Sequence, residues 1–277
     1  MKTLKERHSR IALSHLCCLF GMTRQAYYQH WEKTAELTLE QDLVLEQVFL
    51  LRQKHPRMGV RKLHILLETF LMEHQIKMGR DALFDLLARN KLLVRRRKRQ
   101  IRTTQSSHWL RKYPNLIRDL SLTGSHQLWV SDITYWKIGS AYVYISLITD
   151  AYSHRVTGYQ VSDSLETKSS LEALEMAIQD LDKPIQALIH HSDRGVQYCS
   201  KEYVSLLQKH QIQISMTESG DPLENAVAER INGILKQEYL YEEPTLNLKQ
   251  AKQRLKQVID YYNKDRPHLS CGYLTPE

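Results

Sequence analysis

The chain has 277 residues, 42% of them hydrophobic, which allows two or three domains with a sizeable core. No apolar run approaches the roughly 20 residues needed to cross a bilayer, and the basic N-terminal stretch is interrupted by Ser14 and His15, so neither a membrane span nor a signal peptide is read here. Formal net charge is +8, which makes a polyanion, nucleic acid first, the partner class to consider. The four cysteines, Cys17, Cys18, Cys199 and Cys271, have no zinc-knuckle spacing and read as free thiols of a reducing cytoplasm.

In chain order, residues 1–36 read as short helices. Leu16, Leu19 and Phe20 mark an apolar helix, Gly21-Met22 a turn, and Thr23 the N-cap of a polar helix carrying Arg24, Gln25, Tyr27, Tyr28 and Gln29. That outline suits a helix-turn-helix or an ordinary αα-hairpin about equally. Residues 40–93 form a second helical unit of the same kind, with Leu43, Val44, Val48 and Leu51 at helical spacing, a stop at Pro56 and restarts after Gly59 and Gly79. Residues 94–121 are a basic run and linker. Arg95, Arg96, Arg97, Lys98, Arg99 and Arg102 put six cations in nine residues, a pattern of solvated segments or polyanion contacts.

From Gln127 the periodicity changes. "QLWVSDITYWKI", "AYVYISLITD" and "RVTGYQVS" read as three consecutive strands separated by turns. A helix over "LETKSSLEALEMAIQDL" ends at Pro184, and "LIHHSDRGVQY" opens as a fourth strand. "KEYVSLLQKH" is a helix, "IQISMT" a strand, and "PLENAVAERINGILKQEYL" one long helix. Three antiparallel strands followed by α/β alternation, βββαβαβα, give a ribonuclease-H-like mixed five-stranded sheet at 122–240. All-α units precede this core and a helical tail, 241–277, follows it.

In that topology the first and fourth strands are neighbours, so Asp132 and Asp193 converge. Two carboxylates that close repel each other unless a divalent cation lies between them, and oxygen donors suit Mg²⁺ or Mn²⁺. Taken singly, each aspartate reads more readily as a cap, turn or surface charge. On the last helix Val227, Ile231, Ile234 and Leu235 form the apolar stripe. Glu229, Asn232, Gly233 and Lys236 fall on the opposite face, and in isolation that face is a solvated edge with a charge pair. Trp129, Tyr135 and Trp136 read as core, and Asp150 and Asp163 as turn residues.

Together these segments resemble a known family. "WVSDITY", "HHSDRGVQY" and "NAVAERINGILKQE", with thirty-five residues between Asp193 and Glu229 and Lys236 seven further on, resemble the D, D(35)E and trailing cation motifs of the transposase and retroviral-integrase superfamily. The closest likeness is to second-frame (OrfB) transposases of insertion sequence family three. The tail "YYNKDRPHLSCGYLTP" and the upstream "HPRMGVRKL" and "FGMTRQAYY" extend it over nearly the whole chain. Glu224 stands where the family often has Asp. On one helix it would sit about 140° from Glu229, so the two could not face the same ions. Cys271 stands where an apolar residue is common, and the chain stops at Glu277 soon after the tail motif, consistent with a missing short C-terminal piece.

The resemblance implies a DDE transposase with Asp132, Asp193 and Glu229 as catalytic residues and ligands of two Mg²⁺ or Mn²⁺ ions. Water would nick the element end, and the freed 3′-OH would then join DNA. Lys236 is implied as a phosphate contact, with Arg95, Arg96, Arg97, Lys98, Arg99, Arg24 and Gln25 as further DNA contacts and His191, Ser192 and Asn225 in support. Expected partners are the terminal inverted repeats and target DNA, further copies of the chain on DNA, and an upstream-frame (OrfA) product. The expected location is the bacterial cytoplasm at the nucleoid, with no membrane partner. Rival readings are a ribonuclease-H-like nuclease that never joins and a catalytically silent DNA-binding regulator.

Overall fold

A computed structural model describes residues 10–94, 109–181, 187–218, 222–240 and 247–277, without the side chains of 31–36 and 222–223. The chain divides into two compact units, 1–51 with 67–93 and 52–66 with 94–277.

The first unit is helical. Helix α1 (Leu13–Leu19) ends at Gly21, whose φ of +64° is the left-handed conformation glycine adopts without strain. The N–H groups of Gly21 and Met22 return to the carbonyls of Cys18 and Cys17 at 3.1 and 3.0 Å, a Schellman stop. Thr23 then caps the next helix, its Oγ1 accepting the Ala26 N–H at 3.0 Å. Helix α2 runs unbroken over Arg24–Lys54, where the sequence reading separated two helices near residues 36–40. No glycine or proline lies between Arg24 and Lys54, so nothing local stops the helix before Pro56. Helices α3 (Val60–Glu73) and α4 (Arg80–Arg89) follow, and Val44, Val48, Leu67, Leu71, Leu83, Leu86 and Leu87 are buried.

The second unit is built on β1 (Leu128–Ile138), β2 (Ala141–Asp150), β3 (Val156–Ser162), β4 (Ile189–Ser192) and β5 (Gln213–Met216), in the order β3-β2-β1-β4-β5. β1 pairs antiparallel with β2, and β2 with β3, while β1–β4 and β4–β5 are parallel. This is the ribonuclease-H-like arrangement expected from the strand order. The helix-ending role read for Pro184 falls outside the described residues.

Helices cover both faces. α5 (Thr167–Gln179), a short turn α6 (Val196–Cys199) and α7 (Lys201–Lys209) contribute Ala173, Leu174, Ala177, Tyr198, Tyr203 and Leu207 to a core around Trp129 and Ile148. α8 (Ala226–Ile234) and α9 (Leu248–Lys264) bring Ile231, Ile234, Leu255, Val258 and Tyr262 to a second core with Trp136, Val143 and Ile145. Asn263 of α9 satisfies both backbone groups of Val156 on the outer strand β3, donating to its carbonyl at 2.9 Å and accepting its N–H at 3.0 Å.

The long helix expected over 222–240 is divided. A 3₁₀ turn over Pro222–Asn225 precedes α8, and a π-turn over Leu235–Tyr239 follows it, closed by Leu240 N–H to the Leu235 carbonyl at 2.9 Å. Glu238 within that turn accepts two bonds from the buried Arg266, at 2.8 and 2.9 Å, and one from Lys62 at 3.1 Å. Burial alone would raise the Glu238 carboxyl, but these partners hold it below the usual carboxylate range.

β3 meets α5 closely at Gly158. A Cβ there would lie 2.1 Å from the Ala173 carbonyl oxygen, a backbone atom that cannot swing aside. Gly158→Ala should therefore destabilise the protein by roughly 1–3 kcal/mol or more, read as a lowered urea midpoint with unchanged slope.

Candidate active site

Asp132 lies within β1 and faces α8, on the same side of the strand as Trp136 and Ile138. Ser131 pairs with Ser192 of β4, so Asp193 stands one position beyond the last pair, opposite Asp132. Parallel neighbours in register point their side chains to the same face, about 5 Å apart at the backbone. The strand stops there because Asp193 Oδ1 accepts the Gly195 N–H at 2.9 Å, an Asx-type turn. A Cβ at Gly195 would sit 3.0 Å from that same oxygen.

α8 supplies the third side of the site by packing on β1 and β2. At its N-terminus Asn225 donates from Nδ2 to the Ser131 carbonyl at 3.0 Å, and its side chain makes no cap bond. Glu229 is in the first turn and exposed. Asn232, read from sequence as part of a solvated edge, is buried, and its Nδ2 donates to Asp132 Oδ2 at 2.7 Å. The other oxygen, Oδ1, accepts the Ile133 N–H at 2.9 Å. Lys236, the second residue of the π-turn, brings Nζ to 3.2 Å from Thr134 Oγ1 and 4.0 Å from the Tyr135 ring centre.

Burial and then the charge of Asp193 push Asp132 up to about 7, against the Asn232 and Ile133 hydrogen bonds, and Glu229 adds a weaker push upward. Asp193 and Glu229 thus both act on Asp132, Asp193 the more strongly. Burial lowers the Lys236 ammonium while Asp132 opposes that shift. The donor set is hard oxygen, and mutual repulsion of its charged form is what a divalent cation relieves, so the residues fit Mg²⁺ or Mn²⁺.

The surrounding groups are structural in their bonding. His191 is fully buried, with Nδ1 2.8 Å from Ser215 Oγ, and burial lowers it to about 4. His190, lowered to about 3 by burial, lies 2.9 Å from Tyr203 Oη. Ser192 Oγ donates to the Asp193 carbonyl at 3.0 Å. Glu224 sits in the 3₁₀ turn rather than on the helix with Glu229, and its Oε2 accepts the Glu218 N–H at 2.8 Å. Trp129 and Trp136 are core, whereas Tyr135 is half-buried under Lys236. Asp150 is a turn residue, accepting the Ser153 N–H at 2.7 Å. Arg24 and Gln25 are exposed at the start of α2 in the helical unit, and Arg95, Arg96, Arg97, Lys98 and Arg99 lie outside the described residues.

The unit is a ribonuclease-H-like sheet with Asp132 on its central strand β1 and Asp193 one position past the neighbouring β4. The family profile described as Integrase core domain matches residues 123–222, and a second profile of the same description matches 210–276. The uncharacterized 31 kDa protein of insertion element IS600 from Shigella sonnei is 31% identical over 266 residues, 94% of this chain and 96% of that protein. The transposase for insertion sequence element IS629, also from Shigella sonnei, is 27% identical over the whole chain and 94% of that protein. Transposase InsF for insertion sequence IS3A of Escherichia coli K12 is 31% identical over 62% of this chain and 60% of that protein. The chain belongs to the DDE transposases of insertion sequence family three, enzymes with an integrase core.

The raised Asp132 has a consequence for stability. The folded protein holds this proton more tightly than the unfolded chain, so its contribution is fully present below pH 4 and is lost as pH rises through about 7. Asp132→Asn should therefore stabilise the metal-free protein at pH 8, by on the order of 2–4 kcal/mol at most, with the gain vanishing toward pH 4. Thermal melts in chelator across that range check both the sign and the window.

Proposed function

We propose that Asp132, Asp193 and Glu229 are the catalytic carboxylates of this transposase, cutting the ends of its insertion sequence and transferring the freed 3′-OH into DNA. The observation that carries the reading is that Asp193, one position past β4, and Glu229, on the packed helix α8, both lie near enough to Asp132 of β1 for their charges to act on it. Two divalent ions, Mg²⁺ or Mn²⁺, held by these residues would supply the positive charge that activates an attacking oxygen and stabilises the leaving 3′ oxygen. The chain's own part is positioning. Asn232 and the Ile133 amide orient Asp132, and the Gly195 amide orients Asp193. Asn225 ties the start of α8 to β1, so Glu229 keeps its place relative to the strands. No side-chain nucleophile is required, because water and then the DNA 3′-OH attack phosphorus in turn.

Lys236 contacts a DNA phosphate near the cut, and its cationic head beside Thr134 supports that role. Arg24, Gln25 and the run Arg95–Arg99 grip the DNA elsewhere, while His191 and Ser192 support Asp193 through the packing of β4. The working partition is 1–36 and 40–93 as DNA-binding helical units, 94–121 as basic linker, 122–240 as catalytic core and 241–277 as tail. The enzyme acts in the cytoplasm as a homo-oligomer on terminal inverted repeats and target DNA, with an upstream-frame partner. No helix among the described residues is long and apolar enough to cross a membrane.

Asp132→Ala, Asp193→Ala and Glu229→Ala should each lower cleavage and joining by about 100-fold or more while DNA binding in gel-shift assays persists. The assay uses a pre-cut inverted-repeat end with a free 3′-OH and supercoiled target. Joined product in the wild-type and its loss in all three variants is the expected result. Cleavage without any joined product would instead establish a nuclease, and joining unaffected by the variants would refute the site.

A further inference from the structure

The turn between β2 and β3 and the turn after α9 bring three metal-binding side chains together outside the carboxylate site. His154 Nδ1 or Nε2, His268 Nδ1 or Nε2 and Cys271 Sγ include one atom each within 4.8 Å of one another. The backbone delivers them. Asp150 gathers the first turn, accepting the Ser153 N–H at 2.7 Å, the Ser153 hydroxyl at 2.8 Å and the His126 N–H at 2.6 Å. His154 then adopts φ of +61°, a left-handed conformation that costs a non-glycine residue roughly 1–2 kcal/mol. Its carbonyl accepts the Tyr262 hydroxyl at 2.9 Å, which fixes the turn to α9.

His268 and Cys271 are three apart in "HLSC", across a 3₁₀ turn over Leu269–Cys271. The His268 carbonyl accepts the N–H groups of Cys271 and Tyr273 at 3.0 and 2.9 Å, so the turn is closed independently of its side chains. The His268 ring is what remains unexplained. The residue is only 5% exposed, yet neither ring nitrogen has a hydrogen-bond partner, and His154 Nδ1 also has none. Leaving such a group buried and unbonded costs about 1–3 kcal/mol. Burial lowers both imidazoles, His268 to about 4.

We propose that His154, His268 and Cys271 form a structural binding site for Zn²⁺, with the fourth position left to water. Two neutral imidazoles and a thiolate are a borderline-soft donor set that suits Zn²⁺ and is poor for Mg²⁺, so this site and the oxygen-only carboxylate site select different ions. The rings now stack, centroids 4.6 Å apart and planes 19° from parallel. One ring must turn edge-on for both lone pairs to meet a single ion, about a χ2 torsion that is broad and soft for histidine. The Cys271 thiol now donates to the Ser153 carbonyl at 3.4 Å. On binding, its proton passes to solvent as the sulfur–metal bond forms. The bound ion would pin the C-terminal turn to the β2–β3 turn.

The test uses the purified full chain, stripped with chelator and titrated with Co²⁺ as a spectroscopic substitute for Zn²⁺. A sulfur-to-cobalt charge-transfer band should appear, saturate at one ion per chain and disappear on adding Zn²⁺. Cys271→Ser should abolish the band and His268→Asn should weaken it, while a Cys17→Ser, Cys18→Ser double variant should keep it. Carboxylates give no such band, so the result is independent of the catalytic assignment. No thiolate band in the wild-type protein, or a band that survives Cys271→Ser, would overturn the proposal.

Discussion

The repulsion between Asp132 and Asp193 is the interaction on which the rest of the catalytic unit depends. Parallel pairing of β1 with β4 puts the two carboxyls opposite each other on one face, next to the buried ends of the strands. Burial and then the charge of Asp193 raise the Asp132 carboxyl to about 7. A protein tolerates that arrangement when something positive is meant to occupy it. The neighbouring bonds hold both oxygens of Asp132, through the Ile133 amide and Asn232, and Oδ1 of Asp193 through the Gly195 amide.

The last helix carries the complementary constraint. Its start is tied to β1 by Asn225, its middle touches Asp132 through Asn232, and its end widens into a π-turn. That turn spans Leu235–Tyr239, and Glu238 in it is clamped by Arg266 and Lys62. The tail motif around Arg266 is therefore connected to the catalytic helix by a buried ion cluster. Removing Arg266 alone would leave a mostly buried carboxylate short of its main partner, the costly way to break such a cluster.

Much of the fold was legible locally. β-Branched and aromatic residues marked β1 and β2, and the order of elements followed from periodicity, although the polar residues His190, His191 and Ser192 after Ile189 belong to β4 itself. The position of Asp132 opposite Asp193 followed from topology alone. Three features were not legible. The sequence reading ended one helical unit at 36 and began the next at 40, although no glycine or proline interrupts the continuous α2. The π-turn has no signature in the local periodicity; its Glu238 is bonded by Arg266 and Lys62, both distant in sequence. The burial of Asn232 was hidden because helical periodicity places it with Glu229 and Lys236; only the approach of β1 distinguishes a polar edge facing a carboxylate from one facing water. Cys271 looked like a neutral replacement in sequence, and its proximity to His154 appears only when the two turns meet.

The most direct test of the central claim is paramagnetic broadening of the side-chain carboxyl carbons by trace Mn²⁺ in ¹³C-labelled protein. Simultaneous broadening of Asp132, Asp193 and Glu229, reversed by excess Mg²⁺, is the predicted outcome. Broadening of the two aspartates with Glu229 left sharp, or of none of the three, would contradict a shared site.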